Sequence, residues 1–100
     1  MQGLGYSSME HMSTDSRGRI RNNSYSDYII PTAVDVPVLK AMLHVEKYPL
    51  GPYGAKGAGE LPLVGIPGAY IQAMEQALKG SFNTTPFTME HTMNYLRRNK

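Results

Sequence analysis

Apolar side chains recur at intervals of three and four residues in the second half of the chain, as they do on one face of an α-helix. They are Leu63, Ile66, Tyr70, Ile71, Met74, Ala77 and Leu78. Pro67 is tolerated in the first turn of a helix, and Gly80 suits the position just after the last turn. The pattern predicts an amphipathic helix over residues 66–79.

A second, shorter helix is predicted after Pro86. Thr88 can cap its N-terminus and Glu90 favours its first turn, while Arg97 and Arg98 suit the negative C-terminal end. The apolar stripe consists of Met89, Met93 and Leu96.

The first half of the chain has a different pattern. Residues 9–14 and 19–26 flank Asp15, Ser16, Arg17 and Gly18, a turn cluster whose glycine can take positive φ, so we predict a β-hairpin. Residues 27–48 follow as two short stretches that Pro31 and Pro37 interrupt. For the two glycines in residues 2–5 we predict neither helix nor strand, because glycine disfavours both.

The stretch from Pro37 to Tyr48 fits two interpretations. Leu39, Ala41, Leu43 and Val45 alternate with polar or flexible residues, as on a half-buried strand, although Leu39, Met42, Leu43 and Glu46 also fit a helical face. We favour a strand because prolines bound the stretch at both ends. Residues 49–60 hold four glycines and two prolines and are predicted to form a shaped loop. The predicted fold class is therefore α+β, with a hairpin, extended strands, a glycine-rich loop and two C-terminal helices.

Composition and charge exclude several classes of protein. A chain of 100 residues supports one domain with a modest core. The net charge is only +2, and the sequence has no Lys/Arg cluster interleaved with aromatic residues. Both observations argue against a nucleic-acid partner. The absence of Cys excludes thiolate ligands, and the histidines show no metal-binding spacing. Without a long apolar run or a signal-peptide layout, we expect no membrane partner and a cytoplasmic location.

The loop before the first predicted helix carries the candidate chemistry. In residues 54–60, small residues surround one carboxylate, Glu60, so that backbone can lie close against a ligand. Exposed N–H groups, the helix N-terminus and Lys56 favour an anion. The simpler alternative is that Glu60 only stabilises the helix start, and spacing alone favours that alternative.

Four motifs in order resemble the final part of the molybdopterin-binding large subunit of the xanthine dehydrogenase and aldehyde oxidase family of molybdenum hydroxylases. They are Gln-Gly-Leu-Gly at residues 2–5, Asp-Tyr-x-Ile-Pro-Thr-x-x-Asp-x-Pro at 27–37, Gly-Pro-Tyr-Gly-Ala-Lys-Gly-x-Gly-Glu at 51–60 and Pro-x-Thr-x-Glu at 86–90. The chain departs from the family in having Leu61 where a proline is common, and in being several times shorter. The resemblance implies a C-terminal portion of a molybdopterin-binding domain over residues 1–100, either a fragment or a split subunit.

The resemblance also implies roles for individual residues. Glu60 corresponds to the general base that activates a molybdenum-bound hydroxyl for hydroxylation of a purine, an aldehyde or an N-heterocycle. Gln2, Lys56, Gly57, Ala58 and Gly59 become the candidate contacts to the cofactor, with no protein ligand to the metal.

The cofactor expected from the resemblance is molybdenum-molybdopterin, in its cytosine dinucleotide form. Expected partners are the remaining portion of the molybdopterin subunit together with iron–sulfur (FeS) and flavin (FAD) subunits. The alternative from another functional class is a non-catalytic assembly module that retains the family sequence.

Overall fold

The fold is helical, and the computed structural model describes residues 1–99. Its three α-helices are α1 (Gln2–Ser8), α2 (Leu61–Leu78) and α3 (Met89–Arg98). Single turns of 3₁₀ helix form at Ala33–Asp35 and Pro52–Gly54. No strand occurs within residues 1–99, so the predicted α+β class is wrong for this chain.

Both helices predicted in the second half are confirmed, with a different start for the first. Helix α2 begins at Leu61, so Pro62 lies in its first turn. Pro67, which was expected in the first turn, lies inside the helix. It ends where Lys79 takes the left-handed conformation, and the Gly80 N–H then donates to the Glu75 carbonyl. In α3, the Thr88 N–H donates to Nδ1 of His91 at 3.1 Å, which caps the N-terminus as an Asp or Glu would.

The predicted hairpin contains its turn but no strands. Oδ1 of Asp15 accepts the N–H groups of Arg17 and Arg19, Gly18 has φ of 76°, and Thr14 and Ile20 form one isolated antiparallel bridge. The ladder stops there because Oδ1 of Asn22 takes the Ser13 N–H. The chain beyond residue 22 then closes into a turn of its own at residues 24–28.

The predicted strand at residues 37–48 is also wrong. Its backbone hydrogen bonds to other backbone in residues 1–99 are limited to the last residue, where the Tyr48 carbonyl accepts the Gly51 N–H, and its side chains are open, with Val38 92% and Met42 95% exposed. A single extended segment cannot satisfy its own N–H and C=O groups, so without a neighbour it forms no sheet.

Helix α1 is present although its glycines disfavour helix by about 1 kcal/mol each. Both glycines lie where neighbouring chain approaches closely: Gly3 faces Ile66 of α2, and Gly5 faces Pro31. A Cβ on either residue would come within 3.0 Å of those side chains. Packing therefore outweighs local helix propensity at this position.

The interior is small for a chain of this length. Phe87 is the one buried apolar side chain in residues 1–99, at 4% exposure, and it packs on Phe82 and His91. The Cα radius of gyration is 17.6 Å, against about 13 Å for a compact domain of 100 residues. Large apolar side chains such as Leu43, Leu50 and Val64 are exposed, so the chain does not cover its own hydrophobic surface.

Three helical segments are tied together at Phe87. Its N–H donates to the Ser7 carbonyl of α1 at 2.8 Å, and its carbonyl accepts the Tyr70 hydroxyl of α2 at 3.1 Å. The Ser7 carbonyl is one of the orphan acceptors at the end of α1. Phe87 thereby connects α1, α2 and the start of α3.

This tie predicts an alkaline loss of stability. Burial raises the pKa of Tyr70 above the unfolded value of 10.0. Because the folded pKa is the higher one, the contribution of the neutral hydroxyl is fully present below about pH 10 and is lost as the pH rises through the folded pKa. We expect Tyr70→Phe to flatten the alkaline fall in melting temperature, whereas Tyr25→Phe, at an exposed position, leaves it unchanged. An unchanged alkaline fall in Tyr70→Phe would show that the hydroxyl is not coupled to folding.

No helix in residues 1–99 is both long and apolar enough to cross a membrane.

Candidate functional site

The first turns of α1 and α2 meet around one cavity of about 200 Å³. Its lining residues are Met1, Gln2, Gly3, Gly59, Glu60, Pro62, Leu63 and Ile66. Gln2 from the first motif and Glu60 from the third motif thus line the same cavity. Of the predicted site residues, this cavity includes Gln2, Gly59 and Glu60.

Glu60 stands at the N-cap position of α2. Its backbone carbonyl accepts the Leu63 N–H at 2.9 Å, which begins the helix. Its side chain makes no capping hydrogen bond to the N–H groups of α2 and is exposed. No capping hydrogen bond fixes the Glu60 side chain, so the carboxylate remains available to a ligand in the cavity, while its charge still favours the start of α2.

The glycines before Glu60 leave open space. A Cβ built on Gly57 or Gly59 would meet no heavy atom within 4 Å. Positive φ among the glycines is found at Gly18 and Gly54, and not at these two positions. Backbone conformation therefore does not require glycine at residues 57 and 59, and the open space there permits the close approach of a ligand to the backbone.

Lys56 points away from the cavity. Its Nζ lies 3.9 Å from Oε2 of Glu46 and 6.0 Å from the centre of the Tyr48 ring. Both charged side chains are about half exposed or more, at 47% and 67%, so the ion pair is weak. Neither Lys56, Gly57 nor Ala58 lines the cavity with Gln2 and Glu60.

The residues that hold α1 against α2 are not among the predicted site residues. They are Gly3, Ser7 and Phe87, together with the packing role of Ile66. A signal was available: Gly3 and Ser7 are small residues four apart, which places them on one face of a helix and permits close packing. This spacing has a meaning only if residues 2–8 form a helix, which the sequence did not predict.

A larger cavity of about 590 Å³ lies between the end of α1 and the start of α3. Its lining includes His11, Glu90 and His91, but Nδ1 of His91 is already engaged by Thr88. Within residues 1–99 no group of three or more His, Cys, Asp or Glu side chains is placed to hold a metal ion.

Comparison with known proteins identifies the family. Residues 1–37 match the family profile described as a molybdopterin cofactor-binding domain. Over 87 residues, 86% of this chain, it is 33% identical to a putative xanthine dehydrogenase molybdenum-binding subunit of Escherichia coli K12. The chain belongs to the molybdopterin-binding subunits of the molybdenum hydroxylases. The resemblance that the motifs indicate is thereby confirmed.

Other molybdenum hydroxylase sequences and structures agree. The carbon monoxide dehydrogenase large chain of Hydrogenophaga pseudoflava is 32% identical over 91 residues, which is 91% of this chain and 11% of that protein. The crystal structure of quinoline 2-oxidoreductase from Pseudomonas putida 86 superposes with a TM-score of 0.80 at 27% identity, over 96% of this chain and 13% of that one. The chain spans 12% of the length of the Escherichia coli relative.

The likeness to quinoline 2-oxidoreductase bears on the open fold. Over 96% of this chain, the fold is similar to 13% of a much larger protein chain. A conformation that is stabilised inside a large body need not have a core of its own. The small interior around Phe87 and the exposed apolar side chains are consistent with this relationship.

Proposed function

We propose that this chain contributes the catalytic carboxylate, Glu60, and one wall of the cofactor site to a molybdenum hydroxylase. The observation that carries the proposal is the meeting of Gln2, Gly59 and Glu60 around a single cavity in a chain of this family. Gln2 lies 57 positions before Gly59 in the sequence, and the packing of α1 on α2 brings it to the other two residues.

The residues present fit one edge of a molybdopterin group. The cavity of about 200 Å³ is smaller than the roughly 300–1,000 Å³ of ordinary ligand sites, so the remaining walls come from outside this segment. Open space over Gly57 and Gly59 allows a flat group to approach the backbone. Gln2, at the start of α1, offers an amide that can both donate and accept hydrogen bonds.

The chemistry divides between cofactor and protein. The molybdenum-molybdopterin cofactor, in its cytosine dinucleotide form, would supply the two-electron redox chemistry for hydroxylating a purine, an aldehyde or an N-heterocycle. A carboxylate oxygen of Glu60 would accept the proton from the water-derived oxygen as it attacks the substrate carbon, which is general-base catalysis. Gln2 and the Gly57–Ala58–Gly59 backbone would hold the cofactor in place, and Lys56 would have to leave Glu46 to add its positive charge there.

The exposed apolar side chains indicate what surrounds this segment. Extensive exposed apolar surface usually marks an interface, and the large apolar side chains exposed here include Leu39, Leu43, Leu50 and Val64. Relatives are named as subunits of larger enzymes, among them the gamma subunit of a 6-hydroxypseudooxynicotine dehydrogenase complex of Paenarthrobacter nicotinovorans. The proposed partners are therefore the remainder of the molybdopterin subunit, in contact with this surface, and FeS and FAD subunits beyond it.

The proposal predicts that molybdenum accompanies the chain. When the protein is purified from its native cells through an affinity tag, we expect a larger molybdopterin-binding portion, molybdenum and pterin in near-equal amounts with it. The exposed surface also favours the alternative of a non-catalytic assembly module, which would bind the same partner but leave its turnover unchanged when the chain is removed. A stable monomer that carries neither partner nor molybdenum would contradict the proposal.

A further inference from the structure

The contact between α1 and α2 is closer than side chains on both helices would allow. A Cβ on Gly3 would lie 2.8 Å from Cβ and 2.9 Å from Cγ1 of Ile66. Carbon atoms in van der Waals contact stand about 3.5–4.0 Å apart, so any side chain at residue 3 must displace one of the helices by roughly 1 Å. All three of the nearest atoms belong to the Ile66 side chain.

A second contact lies one helical turn further along both helices. Ser7 follows Gly3 by four residues and Tyr70 follows Ile66 by four, so each pair occupies one face of its helix. The Ser7 carbonyl and the Tyr70 hydroxyl are joined through the N–H and carbonyl of Phe87. The Ser7 hydroxyl also donates to the Gly3 carbonyl at 2.6 Å, which links the two contacts within α1.

Two contacts a turn apart fix both the separation and the rotation of one helix on another. Gln2 directly precedes Gly3, and Glu60 directly precedes α2. Any displacement of α1 at Gly3 therefore moves Gln2 relative to Glu60 across the cavity that both residues line.

We propose that Gly3 is a positioning residue, whose missing side chain sets the separation of Gln2 and Glu60. The inference rests on the proposed function of those two residues. It assigns to Gly3 a role in the geometry of the site, in addition to its part in holding α1 on α2.

The test compares Gly3→Ala with Gly65→Ala in the assembled, molybdenum-loaded enzyme. Gly65 adjoins Ile66 in α2, and a Cβ there meets nothing within 4 Å, so the same chemical change is made without the clash. We expect Gly3→Ala to lower kcat by roughly tenfold to a hundredfold per molybdenum, because a displacement of about 1 Å at a reacting centre has effects of that order. We expect Gly65→Ala to match wild type.

A structural measurement and a rescue variant complete the test. In crystals of the Gly3→Ala enzyme, the distance between the Cα atoms of residues 3 and 66 should increase by about 1 Å. The double variant Gly3→Ala, Ile66→Gly removes the three atoms that lie nearest to the new methyl group, and it should recover most of the lost kcat and the original separation. If Gly3→Ala alone does not assemble, the double variant still has to assemble and turn over.

Three results would overturn the role of Gly3: an unchanged helix separation, a changed separation with normal kcat, or a double variant no better than Gly3→Ala. The first and the third report on the contact whatever Glu60 does, and the second overturns the role of Gly3 when Glu60→Gln is found to lower turnover. Full turnover of Glu60→Gln would instead remove the proposed function while the measured separations still report on the contact.

Discussion

Replacing Glu60 with Gln should lower turnover per molybdenum by a factor of about 10² to 10⁴, the usual contribution of a general base. The amide has the shape of the carboxylate but cannot take up the proton. Because Glu60 makes no capping hydrogen bond to α2 and is exposed in this chain, the substitution should leave folding and molybdenum content unchanged.

The matched control is Glu90→Gln, in the first turn of α3. It makes the same chemical change near another helix N-terminus and outside the cavity of Gln2 and Glu60. We expect its turnover to equal that of wild type. Turnover of Glu60→Gln within about tenfold of wild type at full molybdenum content would exclude the carboxylate as the base.

Gly59→Val should reduce turnover or cofactor retention by roughly a hundredfold, with little change in melting temperature. The added side chain would enter open space, without a clash and without positive φ, so it costs the fold little. In the assembled enzyme the same space is where the cofactor is proposed to approach the backbone.

The variant Gly18→Val is expected to affect folding and not turnover, the reverse of Gly59→Val. Gly18 also has open space around it but has φ of 76°, which strains a side-chain-bearing residue. This variant should melt lower and turn over normally once folded. If Gly59→Val instead melts far below wild type while its folded fraction turns over normally, Gly59 serves folding and the cofactor-facing assignment of the loop is wrong.

Helices that depend on local spacing were predictable from this sequence. The apolar stripe from Leu63 to Leu78 and the cap at Thr88 gave α2 and α3, since both signals lie within the helices themselves. The predicted start of α2, at residue 66, is five residues too late. The prediction assigns Pro67 to the first turn, whereas Pro62 occupies that turn.

Elements that depend on distant contacts were not predictable. The glycines at residues 3 and 5 argue against a helix locally, yet α1 forms because Ile66 and Pro31 require small residues opposite them. Alternation at residues 39–45 indicates a strand, but a strand also needs a partner, and residues 1–99 supply none.

The sequence motifs select candidate residues but carry no information on their geometry. Ordered motifs single out Gln2 and Glu60, and the structure places them at one cavity. They also single out Lys56, which the structure turns toward Glu46 and Tyr48 instead. The contacts that unite the site, through Gly3 and Phe87, involve residues whose types carry no chemical signal by themselves.

The role of Glu60 as the general base is tested most directly by a structure of the assembled enzyme purified with its molybdenum cofactor. We expect a carboxylate oxygen of Glu60 to lie within hydrogen-bond reach, about 2.6–3.2 Å directly or through one water, of an oxygen at the metal centre. We also expect Gln2 and the Gly59 backbone against the pterin, with the apolar surface of this chain covered by the rest of the subunit. A structure in which the cofactor is fully enclosed by other residues, with Glu60 facing solvent, would contradict this role.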